Sequence, residues 1–346
     1  YAKLLEEGLP SKGITIELVK FGDFKHLPKI IRHYVYYRHV LKAARDADVV
    51  FALDPVSVGL PAMYAAKKAR KPFVVKIVGD YAWEQGQQRF GVTESLDEFV
   101  KEKRVPFPVR VFRRIQTRVA RSATRVIVPS NYLKGIVAAW GVSTDIIEVI
   151  YNAVPFKEYG SLPESLLNLP RPVVVTVGRL VPWKQVDGLI DIIDRLHQTQ
   201  TSAFLLVIGD GPERKRLETY ASQKLGKNYF FTGVLSHADT LTAISHANIL
   251  ALNSSYEGLS HILIEAQMLG TPIVATDVGG NAEIIESGTS GLLVPCGDTA
   301  AFSDALGHAL LDGSIRSHLI TGAKQSAKRF LVDTMLGTTA ELLQNL

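Results

Sequence analysis

The sequence predicts two α/β domains, each built on a parallel sheet. The chain has 346 residues, which is long for one domain and suits two. Short apolar runs alternate with helical patterns in both halves of the chain, as they do in β-α-β units. Between the halves lies a segment with prolines at Pro155, Pro163, Pro170 and Pro172, and such spacing is typical of a linker.

The domain limits follow from that segment. We place the N-terminal domain at 1–154, the linker at 155–172 and the C-terminal domain at 173–330. A last helix at 331–346 is expected to cross back to the N-terminal domain. The chain opens on a helix and then a strand predicted at 14–19, whereas an α/β domain of this type normally begins with a strand and a glycine-rich turn. The first strand is therefore expected to be missing from this chain.

The remaining elements alternate along the chain. Apolar runs predict strands at 48–53, 72–78, 125–128, 146–150, 173–177, 204–208, 229–231, 249–252, 273–275 and 292–294. Helical spacing occupies the intervals between most of these runs. The segment 79–108 has little periodicity and is long for a compact domain, so we expect it to be irregular and either functional or mobile.

Composition limits the class of protein. No apolar run approaches the ~20 residues that a membrane span needs. The single cysteine, Cys296, excludes an internal disulfide and suits a reducing cytoplasm. The net charge of +5 divides unevenly, because residues 1–150 carry 25 Lys and Arg against 15 Asp and Glu. This basic half is expected to face an anionic partner. No recognisable nucleic-acid motif is present, so nucleic acid is not expected.

A helix predicted at 108–123 has the most unusual charge pattern. Five arginines share one of its faces, namely Arg110, Arg113, Arg114, Arg118 and Arg121. We call this set the arginine stripe. The opposite face is apolar and should pack on the domain's own sheet, with Val111, Phe112, Ile115 and Val119 as its members. Ordinary solvated faces mix charges of both signs, so we interpret the stripe as a surface for an acceptor or an anionic membrane, with a solvated face as the alternative.

The stretch 253–276 organises the C-terminal domain, since it combines a loop at the carboxyl end of a strand with a helix. Ligands of open α/β sheets bind at such loops. Glu257 is placed at the helix start and Glu265 lies eight residues on. The predicted first turn offers backbone N–H groups, which suit phosphate, at Gly258, Leu259 and Ser260. For either glutamate alone, a solvated position is the alternative.

Other strand ends carry further candidates. Arg179 and Lys184 follow the strand at 173–177, where two cations can neutralise a diphosphate leaving group. A glycine turn with Gly209 and Gly211 follows the strand at 204–208, although such a turn alone is a weak signal. Asp80 follows the strand at 72–78 and is a candidate acceptor-side base. A buried helix cap is an equal alternative for Asp80.

Taken in order, these motifs resemble a known family. The segments EGLSHILIEA and GTPIVATDVGGNAEII resemble the E-x7-E signature of retaining GT-B glycosyltransferases, especially family four (group 1). The resemblance is strong over 152–297. It implies a GT-B fold, in which two Rossmann-like domains face each other across a cleft. It also implies transfer of a sugar from a nucleotide-diphosphate sugar to a hydroxyl acceptor, with retention of anomeric configuration. We expect that acceptor to be lipid-linked or a glycan precursor.

The resemblance also implies residue roles. Glu257 would contact the donor sugar, and Glu265 would hold the ribose hydroxyls. The diphosphate would be bound by Arg179 and Lys184 beside Gly178 and by the N–H groups of Leu259 and Ser260, with Gly209, Gly211 and Val234 facing the nucleotide. The residues expected to act in catalysis are Glu257, Arg179, Lys184 and Asp80. Family members carry a histidine before that aspartate, where this chain has Gly79.

The same resemblance implies a reaction without a metal or another cofactor. The pattern Asp46-Ala47-Asp48 binds metal in other glycosyltransferases, but here it precedes a strand, which is the wrong end for a ligand site. We expect a cytoplasmic protein that is peripheral at the inner face of the membrane. The alternatives are a nucleotide-sugar 2-epimerase or phosphorylase on the same fold, and a non-catalytic nucleotide-sugar-binding protein.

Overall fold

The computed structural model describes residues 1–155, 161–162, 164–199 and 201–346. These residues divide into two compact units. Unit 1 comprises Tyr1–Ala153 together with Val332–Leu346, and unit 2 comprises Val154–Leu331. Each unit is built around its own parallel sheet. The predicted class of two Rossmann-like α/β domains is therefore confirmed.

The described residues of unit 1 form a four-stranded parallel sheet in the order β1-β2-β3-β4. The strands are β1 (Val50–Ala52), β2 (Phe73–Lys76), β3 (Arg125–Val128) and β4 (Ile147–Val149). Valine and isoleucine dominate them, as expected for strands covered on both faces. In the register, Val75 of β2 lies between Ala52 of β1 and Val126 of β3.

Helices cover the sheet of unit 1. They are α1 (Ala2–Gly8), α2 (Lys29–Ala44), α3 (Gly59–Ala69), α4 (Tyr81–Arg89), α5 (Leu96–Lys101), α6 (Phe107–Arg121) and α7 (Asn131–Ala139), joined by the last helix of the chain, α16 (Val332–Gln344). Ser130 caps α7 as its sequence indicated, accepting the Leu133 N–H at 3.2 Å. Leu5 of α1, Ile127 of β3 and Met335 of α16 belong to one buried cluster. The last helix thus packs in unit 1.

The prediction of an irregular segment at 79–108 is wrong, because α4 and α5 lie within it. Both helices are short, with 9 and 6 residues, so neither develops a long apolar stripe. Their start signals are nevertheless present in the sequence. Asp80 caps α4, and Ser95 opens α5 with a capping box that includes Glu98.

The strand predicted at 14–19 is also not formed. Ile14 and Ile16 do pack against the buried cluster of unit 1, so the alternation that indicated a strand reflects a real apolar side. A strand additionally needs a hydrogen-bonded neighbour. In residues 1–155 no strand is paired with this segment.

The described residues of unit 2 form a six-stranded parallel sheet in the order β10-β9-β8-β5-β6-β7. The strands are β5 (Val173–Val177), β6 (Phe204–Ile208), β7 (Tyr229–Gly233), β8 (Ile249–Leu252), β9 (Ile273–Thr276) and β10 (Leu292–Val294). The chain runs outward from β5 to β7 and then returns to β8, on the other side of β5. This reversal creates a switch point between β5 and β8, which is where open α/β sheets bind ligands.

The helices of unit 2 pack on both faces of this sheet. They are α8 (Glu164–Leu167), α9 (Val186–Thr199), α10 (Arg214–Leu225), α11 (His237–His246), α12 (His261–Leu269), α13 (Asn281–Ile284), α14 (Thr299–Leu311) and α15 (Gly313–Ser326). Gly270 ends α12 in the left-handed conformation, with φ +73°. The predicted linker lies partly outside the described residues, which omit 156–160 and 163.

The length and polarity of the helices bear on membrane insertion. Within the described ranges, none of them is both long enough and apolar enough to cross a membrane.

Candidate active site

The loops that leave β5 and β8 meet at the switch point of unit 2. Lys184 Nζ lies 2.5 Å from Glu257 Oε1, although the two residues are 73 positions apart in the chain. The main chain also joins the loops, since the Ser255 N–H donates to the Trp183 carbonyl at 2.8 Å. Two candidates that the sequence placed on separate loops therefore lie in one site.

Glu257 is held from two sides. Its Oε1 accepts the Ser254 hydroxyl at 2.7 Å in addition to the Lys184 ammonium. The residue is only 8% exposed, and a buried carboxylate is stable only when it is paired and hydrogen-bonded. The site thus offers a cation that can face phosphate and a carboxylate that can accept sugar hydroxyls.

Two glycines after β9 pack against the Glu257 main chain. Gly279 has φ +54°, and a Cβ there would lie 2.0 Å from the Glu257 carbonyl oxygen. The next residue, Gly280, donates its N–H to the same oxygen at 2.9 Å. Only glycine permits this approach. The role of these glycines is not visible in the sequence, because the contact joins loops that follow different strands.

The glycine turn after β6 packs on the loop after β5. A Cβ on Gly209 would lie 1.9 Å from the Gly178 carbonyl oxygen, and one on Gly211 would lie 2.3 Å from the Leu180 carbonyl oxygen. The Leu180 N–H also donates to the Asp210 carbonyl at 2.9 Å. These glycines therefore have a packing role, and the predicted contact with the nucleotide stays a prediction.

The predicted phosphate-binding cations share a surface at the carboxyl end of β5. Arg179 and Lys184 line a small cavity of about 10 Å³ together with Gly178. Apolar residues of the neighbouring strands, Val207 and Leu252, also line it. Arg179 is exposed and Lys184 is half-buried, so one cation faces solvent while the other lies deeper, against Glu257.

Glu265 of α12 makes a second side-chain contact in this unit, with a residue of α11. His237 Nε2 lies 2.8 Å from Glu265 Oε1. Burial raises the pKa of the Glu265 carboxyl, and the hydrogen bond from His237 acts in the opposite direction. The sequence favours a capping or packing role for His237, since its spacing to other histidines and to Cys296 fits no zinc site. No sequence signal joined it to Glu265, because they are 28 residues apart on separate helices.

The helix between the two glutamates begins later than predicted. The structure starts α12 at His261, with Ser260 as its N-cap. Gly258, Leu259 and Ser260 therefore belong to the loop that leads into the helix rather than to its first turn, because residues 253–260 are used to connect β8 to α12. At the end of β7, Val234 is 77% exposed, so a ligand can reach it.

Asp80 lies at the corresponding end of β2 in unit 1, but it is enclosed. Its Oδ1 accepts the Trp83 N–H at 2.9 Å, and its Oδ2 accepts the Trp140 indole N–H at 3.2 Å. The residue is 1% exposed, and burial raises the pKa of its carboxyl. This geometry is that of the buried helix cap left open by the sequence, and a role as base stays a prediction.

Lys76 is a further buried group at the end of β2, which the sequence analysis did not single out. It is 1% exposed, and its ammonium nitrogen has no hydrogen-bond partner among the described residues. The nitrogen lies 3.6 Å from the centroid of the Tyr1 ring. Burial lowers the pKa of Lys76 to about 7. In the sequence, Lys76 only ends the apolar run FVVK, and this position alone does not predict a buried amine.

The arginine stripe on α6 is not uniform. Arg113 donates to the Phe99 and Glu102 carbonyls at 2.7 and 2.6 Å. Arg121 donates to the Trp140 carbonyl at 2.7 Å. These two arginines therefore stabilise unit 1, which corrects the interpretation of all five as one binding surface. Within the described part of unit 1, the members with no backbone-carbonyl bond of this kind are Arg110, Arg114 and Arg118, and all three are exposed.

The buried face of α6 also differs from the prediction. Its fully buried members are Val109, Gln116, Val119 and Ala120, whereas the predicted Val111, Phe112 and Ile115 are only half-buried. Gln116 is buried because its Oε1 accepts the Ala82 N–H of α4 at 3.0 Å. Across the described part of the chain, no three His, Cys, Asp or Glu side chains are grouped so that they could hold a metal ion.

Comparison with known protein families decides the assignment. The family described as Glycosyl transferases group 1 matches residues 161–326. The family described as Glycosyl transferase 4-like domain matches residues 5–153. Together the matches cover most of both units. The chain belongs to glycosyltransferase family four.

The named relatives of this family-four chain are also glycosyltransferases. It is 32% identical to an alpha-D-kanosaminyltransferase of Streptomyces kanamyceticus, over 44% of the chain and 40% of the relative. It is 28% identical to a D-inositol 3-phosphate glycosyltransferase of Acidothermus cellulolyticus, over 99% of the chain and 85% of the relative. For three relatives of at least 30% identity, the match spans only 37 to 50% of their length.

Solved structures agree with the fold of a family-four glycosyltransferase. The crystal structure of Anabaena HepE in complex with UDP-glucose has a TM-score of 0.74 and 22% identity, over 90% of the chain and 82% of HepE. Sucrose-phosphate synthase of Thermosynechococcus elongatus has a TM-score of 0.72 and 20% identity, over 92% and 80% of the two chains. At these identities the likeness shows the GT-B fold alone.

Proposed function

We propose that this protein transfers a sugar from a nucleoside-diphosphate sugar to a hydroxyl acceptor, with retention of anomeric configuration. The observation that carries the proposal is the meeting of Lys184 and Glu257 at the switch point of unit 2, at 2.5 Å. The cation suits the diphosphate of such a donor, and the carboxylate suits the hydroxyls of its sugar. Family membership supports the same reaction class.

The proposed roles follow from the chemistry of each group. The bond between the sugar C1 and the phosphate oxygen breaks, and its electron pair leaves with the diphosphate. Arg179 and Lys184 stabilise that developing charge. The acceptor oxygen forms the new bond to C1, and its proton passes to the departing phosphate. Glu257 orients the sugar through its hydroxyls, and Glu265 holds the ribose.

The donor class is proposed from the site and from a structural neighbour. HepE was solved with UDP-glucose, so UDP-sugars are the first donors to test on this chain. The N–H groups of Leu259 and Ser260 are proposed to contact the phosphates, with Gly209, Gly211 and Val234 near the nucleotide. These positions all follow carboxyl ends of strands in unit 2, which is where ligands of such sheets bind.

Transfer is proposed to need no metal ion. Arg179 and Lys184 supply positive charge at the position where a divalent cation would otherwise neutralise the diphosphate. The test is turnover in excess chelator. Retained activity supports the proposal, whereas complete loss that Mg²⁺ or Mn²⁺ restores overturns it.

The acceptor is proposed to be lipid-linked or a glycan precursor, presented to unit 1 at the inner face of the membrane. Unit 1 carries the basic charge, and three of its exposed side chains at the start of α2 are apolar or aromatic. Ile30, Ile31 and Tyr34 are 87, 51 and 59% exposed. A relative in Mycobacterium leprae is named phosphatidyl-myo-inositol mannosyltransferase. Exposed apolar side chains on a unit with net positive charge suit an anionic membrane surface.

One experiment tests the central proposal. Full-length protein is incubated with UDP-, GDP- and ADP-sugars and an acceptor extract, and nucleotide release and the anomeric configuration of the product are measured. Release that depends on acceptor, with a retained configuration, supports transfer. Isomerisation of the sugar in the recovered nucleotide sugar, without acceptor, indicates a 2-epimerase. Nucleotide release that depends on inorganic phosphate and yields a sugar phosphate indicates a phosphorylase, and binding without any of these reactions indicates a non-catalytic protein.

A further inference from the structure

The contact between His237 and Glu265 is the starting point for a further inference. His237 is the first residue of α11, and Ser236 fixes this helix start by accepting the Asp239 N–H at 3.1 Å. The Ser236 hydroxyl also donates to the Asp239 carboxylate at 2.7 Å. The imidazole is therefore attached at a fixed backbone position, and its Nε2 lies 2.8 Å from Glu265 Oε1.

The contact has a defined direction. A carboxylate accepts hydrogen bonds but cannot donate them when ionised. With Glu265 ionised, the Nε2 atom that faces it carries the hydrogen, which assigns the donor role to His237. The Glu265 side chain is 10% exposed and that of His237 is 46% exposed. The histidine thus reaches from the surface to a carboxylate that the fold has largely removed from water.

A buried carboxylate held at one oxygen has its second oxygen oriented as well. Without a donor, a carboxylate on a helix can rotate about its last torsion, which is broad. The bond to Oε1 limits that rotation and directs Oε2. Two adjacent ribose hydroxyls need an acceptor in a fixed place, since ordering a side chain at the moment of binding costs free energy.

We propose that His237 is a positioning residue, which fixes Glu265 so that its carboxylate accepts the ribose hydroxyls of the donor nucleotide. The inference rests on the proposed function, because it takes Glu265 as the ribose contact. It adds that His237 sets the preference of this site for a ribonucleotide over one that lacks the 2′ and 3′ hydroxyls. A merely structural histidine would affect both ligands alike.

The test compares two ligands on four proteins. Kd is measured by calorimetry for UDP and for 2′,3′-dideoxy-UDP on the parent, His237→Ala, Glu265→Gln and the double variant. His237→Ala should weaken UDP by about tenfold, the scale of one hydrogen bond to a charged group, and change dideoxy-UDP by less than twofold. In the Glu265→Gln background, removal of His237 should weaken UDP much less, because the contact no longer involves a charged acceptor.

Two further variants sharpen the result. His237→Gln keeps an N–H donor and should restore part of the UDP affinity. His246→Ala is the matched control, because His246 ends the same helix and contacts the Thr242 carbonyl at 2.9 Å instead of Glu265. Its Kd values should equal those of the parent.

Failure of the inference and of the proposed function give different results. Equal weakening of both nucleotides by His237→Ala, or an undiminished effect in the Glu265→Gln background, overturns the positioning role while nucleotide binding stands. A parent protein that binds none of UDP, GDP and ADP overturns the proposed function, and the positioning role with it.

Discussion

The two units place charged residues at equivalent ends of their sheets, yet they use them differently. In unit 2, Lys184 and Glu257 follow neighbouring strands and contact each other. In unit 1, Lys76 and Asp80 lie at the end of a single strand, β2, and both are 1% exposed. Asp80 caps α4, and the amine of Lys76 lies against the Tyr1 ring.

The difference shows what a strand end can and cannot predict. The carboxyl edge of a parallel sheet is where loops can present ligand-binding groups. Whether a group there is presented depends on the next element of the chain. The loops after β5 and β8 meet at the switch point, so their side chains converge. The chain after β2 turns at once into α4, and its aspartate is used to start that helix.

The largest effect is expected at Lys76, where Lys76→Met removes a buried amine but keeps the length of the side chain. Burial lowers the pKa of Lys76 from 10.5 to about 7. The unfolded state therefore binds the extra proton between pH 7 and 10, and the free energy of unfolding rises with pH in that window. The variant should gain stability at pH 7, up to about 5 kcal/mol, and lose that advantage toward pH 10.

The measurement is chemical unfolding of parent and variant at pH 7 and pH 10, with Lys3→Met as the control for an exposed lysine. The contact with the Tyr1 ring reduces the gain, since a cation over a ring is itself favourable. A variant that is less stable than the parent at both pH values would show that Lys76 has a stabilising partner.

The next effect is on turnover, at Lys184. Lys184→Met should lower kcat by roughly 100- to 1,000-fold, the scale of losing one preorganised group that stabilises transition-state charge. Lys215→Met is the matched control, because Lys215 is an exposed lysine of α10 in the same unit. Steady-state kinetics with the donor that the incubation experiment identifies gives the comparison. Equal losses of kcat in both variants would show that Lys184 has no specific role in catalysis.

Asp80 decides whether unit 1 contributes a base. Asp80→Ala loses the cap of α4 and leaves the Trp140 N–H buried without its acceptor, so unfolding should become easier by about 2 to 4 kcal/mol. Asp80→Asn keeps a side-chain oxygen for the cap but cannot take a proton. We expect the D80N variant to keep turnover within a few-fold of the parent. Loss of transfer in a D80N protein that is stably folded would instead identify Asp80 as the base.

Much of the fold could be predicted from the sequence, because buried parallel strands are short apolar runs. All six strands of unit 2 were predicted within two residues of their observed ends. The errors fall where the pattern is weak. The short helix α5 has no long stripe, and the alternation at 14–19 indicates an apolar side but cannot supply a pairing partner.

The candidate site was predictable only in part, because motifs give residues and not their contacts. Lys184 and Glu257 were each predicted from a strand end, and the distance between them required the sheet order. His237 could not be joined to Glu265, since 28 residues and two helices separate them. Arg113 and Arg114 are adjacent in the sequence. Only the structure shows that Arg113 donates to backbone carbonyls while Arg114 is exposed.

The smallest effect distinguishes those two arginines. Arg114 is exposed, and each basic residue near an anionic leaflet contributes about 1 kcal/mol. Arg114→Ala should therefore weaken binding to anionic vesicles by roughly fivefold and leave unfolding unchanged. Arg113 donates to two backbone carbonyls, so Arg113→Ala should mainly destabilise unit 1, by about 2 kcal/mol. Co-sedimentation and thermal unfolding give the two readouts, and vesicle binding should fall with salt as charges are screened. If Arg114→Ala co-sediments as well as the parent does, the exposed arginines do not bind the membrane, and a soluble anionic acceptor becomes the better partner for them.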